Sequence, residues 1–138
     1  MEIKHSDTEE DYSFVLSNLA AYNRSKGGNR PLDPKKTLLL LDENGQKAGG
    51  LVYGIRGKCL DIDLLWLAES YRGNGGGTAL IQEAAAMAKE AGCSYIWVTT
   101  NSFQAPLFYP KVGFKTMVVR EDFPFEGNAH YQFRMDLA

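Results

Sequence analysis

Only two cysteines occur in these 138 residues, Cys59 and Cys93, one at the start of an apolar strand-like run and one just past a helical run. With no extracellular signature around them, they read as reduced structural thiols rather than a disulfide framework. Histidine is as scarce: His5 and His130 lie far apart without a cluster of other ligands, which argues against a metal site. No apolar run approaches the ~20 residues of a membrane span, and the acidic start from Met1 to Glu10 lacks the basic and apolar regions of a signal peptide. A cytoplasmic protein without a membrane partner is expected. An excess of one charge is also missing: 15 Lys and Arg against 17 Asp and Glu leave a formal net charge of -2, with no basic stripe to suit a nucleic-acid groove. What remains is apolar and aromatic, 44% and 12% of the chain, enough to core one ordinary domain over residues 1–138 that serves a small ligand.

Hydrophobic periodicity divides the chain into alternating elements. Ile3 to His5 reads as a short first strand. Ser6-x-x-Glu9 or Asp7-x-x-Glu10 then caps a helix bearing Tyr12, Val15, Leu16, Leu19 and Tyr22, which stops near Gly27-Gly28. Residues 26–34 are rich in breakers and form a loop. Leu38 to Leu41, the turn Asp42 to Gly45, and Ala48 to Ile55 make a hairpin, followed by a strand from Leu60 to Leu67. Alternation along that strand puts Leu60, Ile62, Leu64 and Trp66 on one face and Asp61, Asp63, Leu65 and Leu67 on the other. A helix from Thr78 to Ala91, a strand from Ser94 to Thr100, a short helix and a strand from Phe114 to Arg120 follow. In the final strand, Ala129 to Leu137, Tyr131, Phe133, Met135 and Leu137 face one way and His130, Gln132, Arg134 and Asp136 the other. The βαβα order over residues 60–113 predicts an α/β fold whose parallel strands hold a ligand at their carboxyl ends.

The densest signal is Tyr71-Arg72-Gly73-Asn74-Gly75-Gly76-Gly77-Thr78, which holds four of the 14 glycines between the strand and the alanine-rich helix. The first turn of a helix has N–H groups without intrahelical partners, and the helix dipole adds partial positive charge there, so glycines that allow close approach favour a phosphate. Arg72 adds a forked donor. A Walker loop would need a lysine before Thr78, and a dinucleotide fingerprint would need glycine where Thr78 or Leu80 stands, so neither fits. A glycine-rich turn leading into a surface helix stands as the plain alternative.

Arg72-x-x-Gly75-x-Gly77 resembles the pyrophosphate loop of the GCN5-related N-acetyltransferases (GNAT), and Asn101 to Phe114, with Ala105, Tyr109 and the closing Gly113-Phe114, resembles that family's second signature at the matching distance. Two segments in the right order make the resemblance specific. It implies the acyl-CoA N-acyltransferase fold: a mixed six- or seven-stranded sheet flanked by helices, with splayed central parallel strands. It further implies an acetyl-CoA-dependent N-acetyltransferase in which the primary amine of a small acceptor attacks the thioester directly, both substrates being bound together. Arg72, Gly73, Asn74, Gly75, Gly76, Gly77 and Thr78 would hold the pyrophosphate of acetyl-CoA, and the backbone of Leu65, Trp66 and Leu67 would pair with the pantetheine arm as a missing strand does. Asn101 would contact that arm, unless it is only a turn former. Phe108 would border the cofactor. Tyr109 would protonate the departing thiolate, a suitable task for a phenol of ordinary pKa about 10, unless it is only a core residue packed with Phe108. Asp61 is the first candidate base and Asp63 the second, with ordered water as the base in many members; both aspartates are also readable as strand-surface charges.

Two positions depart from the family pattern: Glu69 stands where proline is usual, and Pro110 replaces a glutamate inside the second signature, so irregularity is expected in the helix of Tyr109. The same fold also serves as a noncatalytic acyl-CoA-binding module, against which Tyr109 and Asp61 speak. Trp66, Phe103, Phe123 and Phe125 are candidates for an aromatic acceptor pocket, and Glu121, Asp122 and Glu126 favour a cationic acceptor. Dimerisation by edge-strand pairing through the last strands is left open.

Overall fold

The computed structural model describes residues 1–28 and 33–138, and the chain divides into two compact units, Met1–Leu32 and Asp33–Ala138. In the first unit Ile3 to His5 does not form a strand. Helix α1 spans Glu9–Ser25 and is capped by Thr8, two residues after Ser6 and one after Asp7, the expected caps; the Thr8 side chain accepts from the Asp11 N–H at 3.2 Å. Three acidic residues in its first turn and Arg24 in its last suit the helix dipole. The helix ends ahead of Gly27, as expected; of the breaker-rich stretch after it, Asn29 to Leu32 lie outside the described residues.

The second unit is built on a six-stranded mixed sheet. Its elements run β1 (Lys36–Leu41), β2 (Lys47–Arg56), β3 (Cys59–Leu67), a 3-10 turn (Glu69–Tyr71), α2 (Gly76–Glu90), β4 (Tyr95–Asn101), α3 (Phe108–Lys111), β5 (Lys115–Glu121) and β6 (Ala129–Asp136). The spatial order is β1-β2-β3-β4-β6-β5, with β3 and β4 parallel and every other neighbouring pair antiparallel. Helix α2 is the crossover between the two parallel strands, the connection that a parallel pair requires.

One face of this sheet carries the core. Leu51, Leu60, Ile62, Ile96, Val98 and Phe133 meet Leu80, Ile81, Ala84 and Ala88 of α2, and the small alanines let helix and sheet approach closely. Along β6 the expected alternation holds: Phe133 is fully buried, and Tyr131, Met135 and Leu137 pack beside it.

Alternation in β3 does not hold, and the reason positions the site. Val52 of β2 stands opposite Leu64, but Tyr53 stands opposite Ile62, so Asp63 is an extra, unpaired residue. Such a bulge bends a strand, increases its twist and reverses the side-chain faces beyond it. Leu65 and Leu67 therefore join Leu60 and Ile62 against the core, while Leu64 and Trp66 turn outward and are exposed. The parallel ladder between β3 and β4 stops at the same level, its last pair being Ile62 with Val98. Beyond it the strands separate, as the βαβα reading expects.

Gly49 of β2 sits across from Leu67, and a Cβ placed on it would lie 2.7 Å from the Trp66 carbonyl oxygen and 2.8 Å from Leu67 Cδ2. The first contact is with backbone and cannot be relieved by a rotamer change. Gly49→Ala should therefore destabilise the protein by about 1–3 kcal/mol, read as a lower urea midpoint at unchanged slope.

Candidate active site

The bulge and the splay leave one edge of β3 unpaired from Asp63 to Leu67. The Ala68 N–H donates to the Ala48 carbonyl of β2 at 2.8 Å, so by the two-residue period of a strand the backbone groups of Trp66 also point toward β2. Those of Leu65 and Leu67 point the other way, into the gap facing β4. The Leu67 carbonyl accepts from Arg72 Nε at 3.0 Å, and the remaining groups of this edge stand ready for an extended ligand. Leu65 and Leu67 thus fit the expected backbone pairing, whereas Trp66 does not: its backbone belongs to the β2 ladder, and it meets the cleft by its side chain.

At the end of this edge the chain turns through the glycine loop into α2. Gly75 is the N-cap with φ 85°, a left-handed conformation that suits glycine, and it offers no side-chain cap to the N–H groups that follow. Those of Gly76, Gly77 and Thr78 precede the first intrahelical bond, Ala79 N–H to the Gly75 carbonyl at 2.9 Å, and of these residues Gly77 and Thr78 line the cleft, where free N–H groups suit an anion. Close packing aims them: a Cβ on Gly76 would lie 3.2 Å from Leu67 Cδ2, and one on Gly77 3.0 Å from Phe108 Cζ and 3.4 Å from Leu67 Cδ1. Leu67 is therefore wedged under the start of α2, with Phe108 beside it. Asn74 and Gly76 do not face the cleft; the Asn74 amide donates to the Ser70 carbonyl at 3.1 Å and holds the loop from behind.

A cleft of about 640 Å³ lies between these walls. One side is Leu65, Trp66, Leu67, Arg72, Gly73, Gly75, Gly77 and Thr78; the other is Phe103, Gln104, Ala105, Phe108 and Tyr109. The second wall comes from the loop after β4 and from α3, four residues long with Pro110 inside its first turn, where the missing N–H costs nothing. Tyr109 is 6% exposed, its ring set against Phe108, Phe114 and Phe133 at centroid distances of 5.2, 5.5 and 5.4 Å. Its hydroxyl makes no hydrogen bond to a described residue, yet no buried side-chain oxygen or nitrogen among them lacks a partner, so the hydroxyl reaches the cleft. Burial pushes this phenol up to about 12.

Asn101 does not line the cleft. Its Oδ1 accepts from Asn128 Nδ2 at 3.0 Å and stands 3.1 Å from His130 Nδ1, while its Nδ2 donates to Gln104 Oε1 at 3.1 Å. Asn128, 3% exposed, also donates to the Phe123 carbonyl at 2.7 Å and accepts from the Ser102 hydroxyl at 2.8 Å. Asn101 is thus an internal fastener joining the loop after β4 to the 122–128 loop, with its amide already engaged by protein. That fastening holds Phe103 and Phe125 stacked at 6.2 Å although they are 66% and 56% exposed.

Asp61 is likewise absent from the cleft walls. It sits below the bulge, opposite Gly54 and Trp97, at the level where β3 and β4 still pair. Burial raises its carboxyl above the usual range, Arg56 draws it down, Asp63 pushes it up and Lys35 draws it down. Asp63 itself is paired with Lys35 Nζ at 2.7 Å on an exposed surface, so the sequence reading of surface charges describes it well. Cys59 and Cys93 are free and buried. Gln104 is a cleft residue with no advance signal, since a loop glutamine carries neither periodicity nor a charge to single it out, and Ala105, marked in sequence only as part of the second signature, also lines the cleft and lies at φ 54°.

Residues 4–114 match the family model described as the acetyltransferase (GNAT) family. Among similar proteins, a blasticidin-S acetyltransferase of Streptomyces morookaense is 42% identical over 96 residues, covering 69% of this chain and 70% of that one. An uncharacterised N-acetyltransferase of Mycobacterium bovis is 31% identical over 124 residues, 87% of this chain and 75% of its own. Among solved structures, an acetyltransferase from Bacillus cereus superposes with a TM-score of 0.76 at 32% identity, covering 99% of this chain and 98% of that one.

Proposed function

The chain belongs to the GNAT family of acetyl-CoA-dependent N-acetyltransferases, and from that premise we propose that it acetylates a primary amine on a small, cationic acceptor by direct attack, with both substrates bound at once. The observation that carries this reading is the continuity of the unpaired β3 edge, Arg72 and the uncapped start of α2 along one cleft. Acetyl-CoA supplies the thioester when bound. The α2 N–H groups and Arg72 hold its diphosphate, and the Leu65 and Leu67 backbone groups align its amide-bearing arm. A free N–H of this edge polarises the thioester carbonyl, and the Tyr109 hydroxyl donates a hydrogen bond at the sulfur. The two cysteines are buried and take no part as nucleophiles.

The acceptor side is formed by Trp66, Phe103 and Phe125, with Glu121, Asp122 and Glu126 nearby in sequence to favour positive charge. Asp61 is set back from the cleft walls, so its carboxylate would reach an acceptor nitrogen only across water. The likeness to a blasticidin-S acetyltransferase makes blasticidin S the first acceptor to try.

Thiol release from acetyl-CoA should be followed with blasticidin S, agmatine, tyramine and ethanolamine. Turnover is expected, with kcat/KM for agmatine about tenfold or more above that for ethanolamine, the worth of one added favourable contact. Saturable acetyl-CoA binding without turnover of any amine would defeat the reading, and equal rates for agmatine and ethanolamine would remove the preference for cations.

A further inference from the structure

Backbone partners fix the orientation of every amide around His130. The Phe123 carbonyl can only accept, so the Asn128 atom 2.7 Å from it is Nδ2. The same Nδ2 lies 3.0 Å from Asn101, whose contacting atom must then be the oxygen. At the other end, the Asn101 backbone N–H donates at 3.1 Å to Gln104, which must present Oε1, and Gln104 Oε1 takes the Asn101 Nδ2 as its second donor. Both routes give the same answer: an acceptor, Asn101 Oδ1, stands 3.1 Å from His130 Nδ1. The neutral imidazole is therefore held with its proton on Nδ1 and a lone pair on Nε2.

The ring is further fixed by the edge of Phe123 at a centroid distance of 5.4 Å, while Arg120, its neighbour across the β5 ladder, keeps its guanidinium over the Phe123 ring at 3.5 Å. His130 is only part buried, and it is tied to the cleft wall by two hydrogen bonds, through Asn101 to Gln104. It lies at the end of β4 where β3 has already separated, and on the face of β6 opposite Phe133 and Tyr131. Asp61, by contrast, lies below the splay.

We infer that His130 is the general base of the reaction, with Asn101 as its positioning residue. This rests on the proposed amine acetylation. His130 does not itself line the cleft, so Nε2 takes one proton from the acceptor nitrogen through a bridging water as the N–C bond forms. The C–S bond breaks with its electron pair leaving on sulfur beside the Tyr109 hydroxyl, and the proton passes from His130 to solvent.

Two measurements test the assignment. In the otherwise native His5→Gln protein His130 is the sole imidazole, since the chain has 2 histidines, and a long-range ¹H–¹⁵N spectrum of the neutral ring should show Nδ1 protonated and Nε2 bare. An Nε2-protonated ring overturns the assignment without any appeal to activity. In the agmatine and tyramine assays, His130→Gln should lower kcat by about 100-fold, with the affinity for acetyl-CoA by calorimetry within about threefold and partial rescue of His130→Gly by added imidazole. Unimpaired His130→Gln beside an active unmodified protein overturns this role alone, whereas silence of the unmodified protein on every amine overturns the amine acetylation and this role together.

Discussion

Tyr109→Phe should lower kcat by about 100-fold, the usual cost of removing one hydrogen-bond donor from a developing negative charge, and should leave acetyl-CoA affinity nearly unchanged. The substitution keeps the ring, and with it the packing on Phe108, Phe114 and Phe133. What it removes is the hydroxyl at the cleft. With its phenol pushed up to about 12, Tyr109 is a weaker acid than the ordinary phenol assumed from sequence. Complete transfer of its proton to a thiolate of ordinary pKa about 8.5 runs uphill, so in the proposed reaction Tyr109 would act by donating a hydrogen bond to the sulfur as charge builds there. A loss of less than about threefold in stopped-time thiol release would remove the hydroxyl from the mechanism.

The same displacement fixes the sign of two pH effects. Tyr109 stays protonated throughout the neutral and mildly alkaline range, so its ionisation places no descending limb on the rate profile below about pH 10. Because its folded value of about 12 lies above its unfolded value, its contribution to stability is fully present below the unfolded value and fades as pH rises toward 12. Alkaline unfolding of Tyr109→Phe should therefore be less steep with pH than that of the parent protein, measured by fluorescence across the alkaline range.

Sequence pattern reaches this architecture where a local rule coincides with a tertiary one. The glycine loop is legible because Gly75 answers a backbone demand, φ 85°, and because the residues after it must admit Leu67 and Phe108 at close range. The final strand is legible because nothing interrupts its period of two. In β3 the same rule misplaces Leu64, Leu65, Trp66 and Leu67, since the extra residue at Asp63 leaves no mark in hydrophobicity: the apolar run reads the same before and after the faces exchange. Asp61, the first candidate base, is set back from the cleft because the β3–β4 ladder still pairs at its level, and hydrophobic pattern does not show where that ladder ends. Asn101 shows a different limit. Its position at a strand end is correctly placed, but its partners Gln104, Asn128 and His130 come from two loops and another strand, and no spacing rule joins them. His130 was set aside on sequence for want of metal-ligand neighbours, a test that says nothing about a single oriented imidazole.

Arg72 carries the second large effect, because one side chain does two things. Its Nε holds the Leu67 carbonyl at 3.0 Å, closing the end of the β3 edge, and the residue also lines the cleft together with Gly77 and Thr78 of α2. Lysine can supply charge to a diphosphate but has no fixed fork with which to hold the carbonyl at the same time. Arg72→Ala should therefore raise the dissociation constant for acetyl-CoA by about 10- to 100-fold, as expected for lost charge-assisted hydrogen bonds of ~1.5–3 kcal/mol. Arg72→Lys should recover only part of that loss. Free coenzyme A carries the same diphosphate, so calorimetry with it should show the same ranking, whereas Tyr109→Phe should leave both affinities intact. If Arg72→Lys bound as tightly as the parent protein, the carbonyl contact would be incidental and the diphosphate would be held by charge and the α2 N–H groups alone.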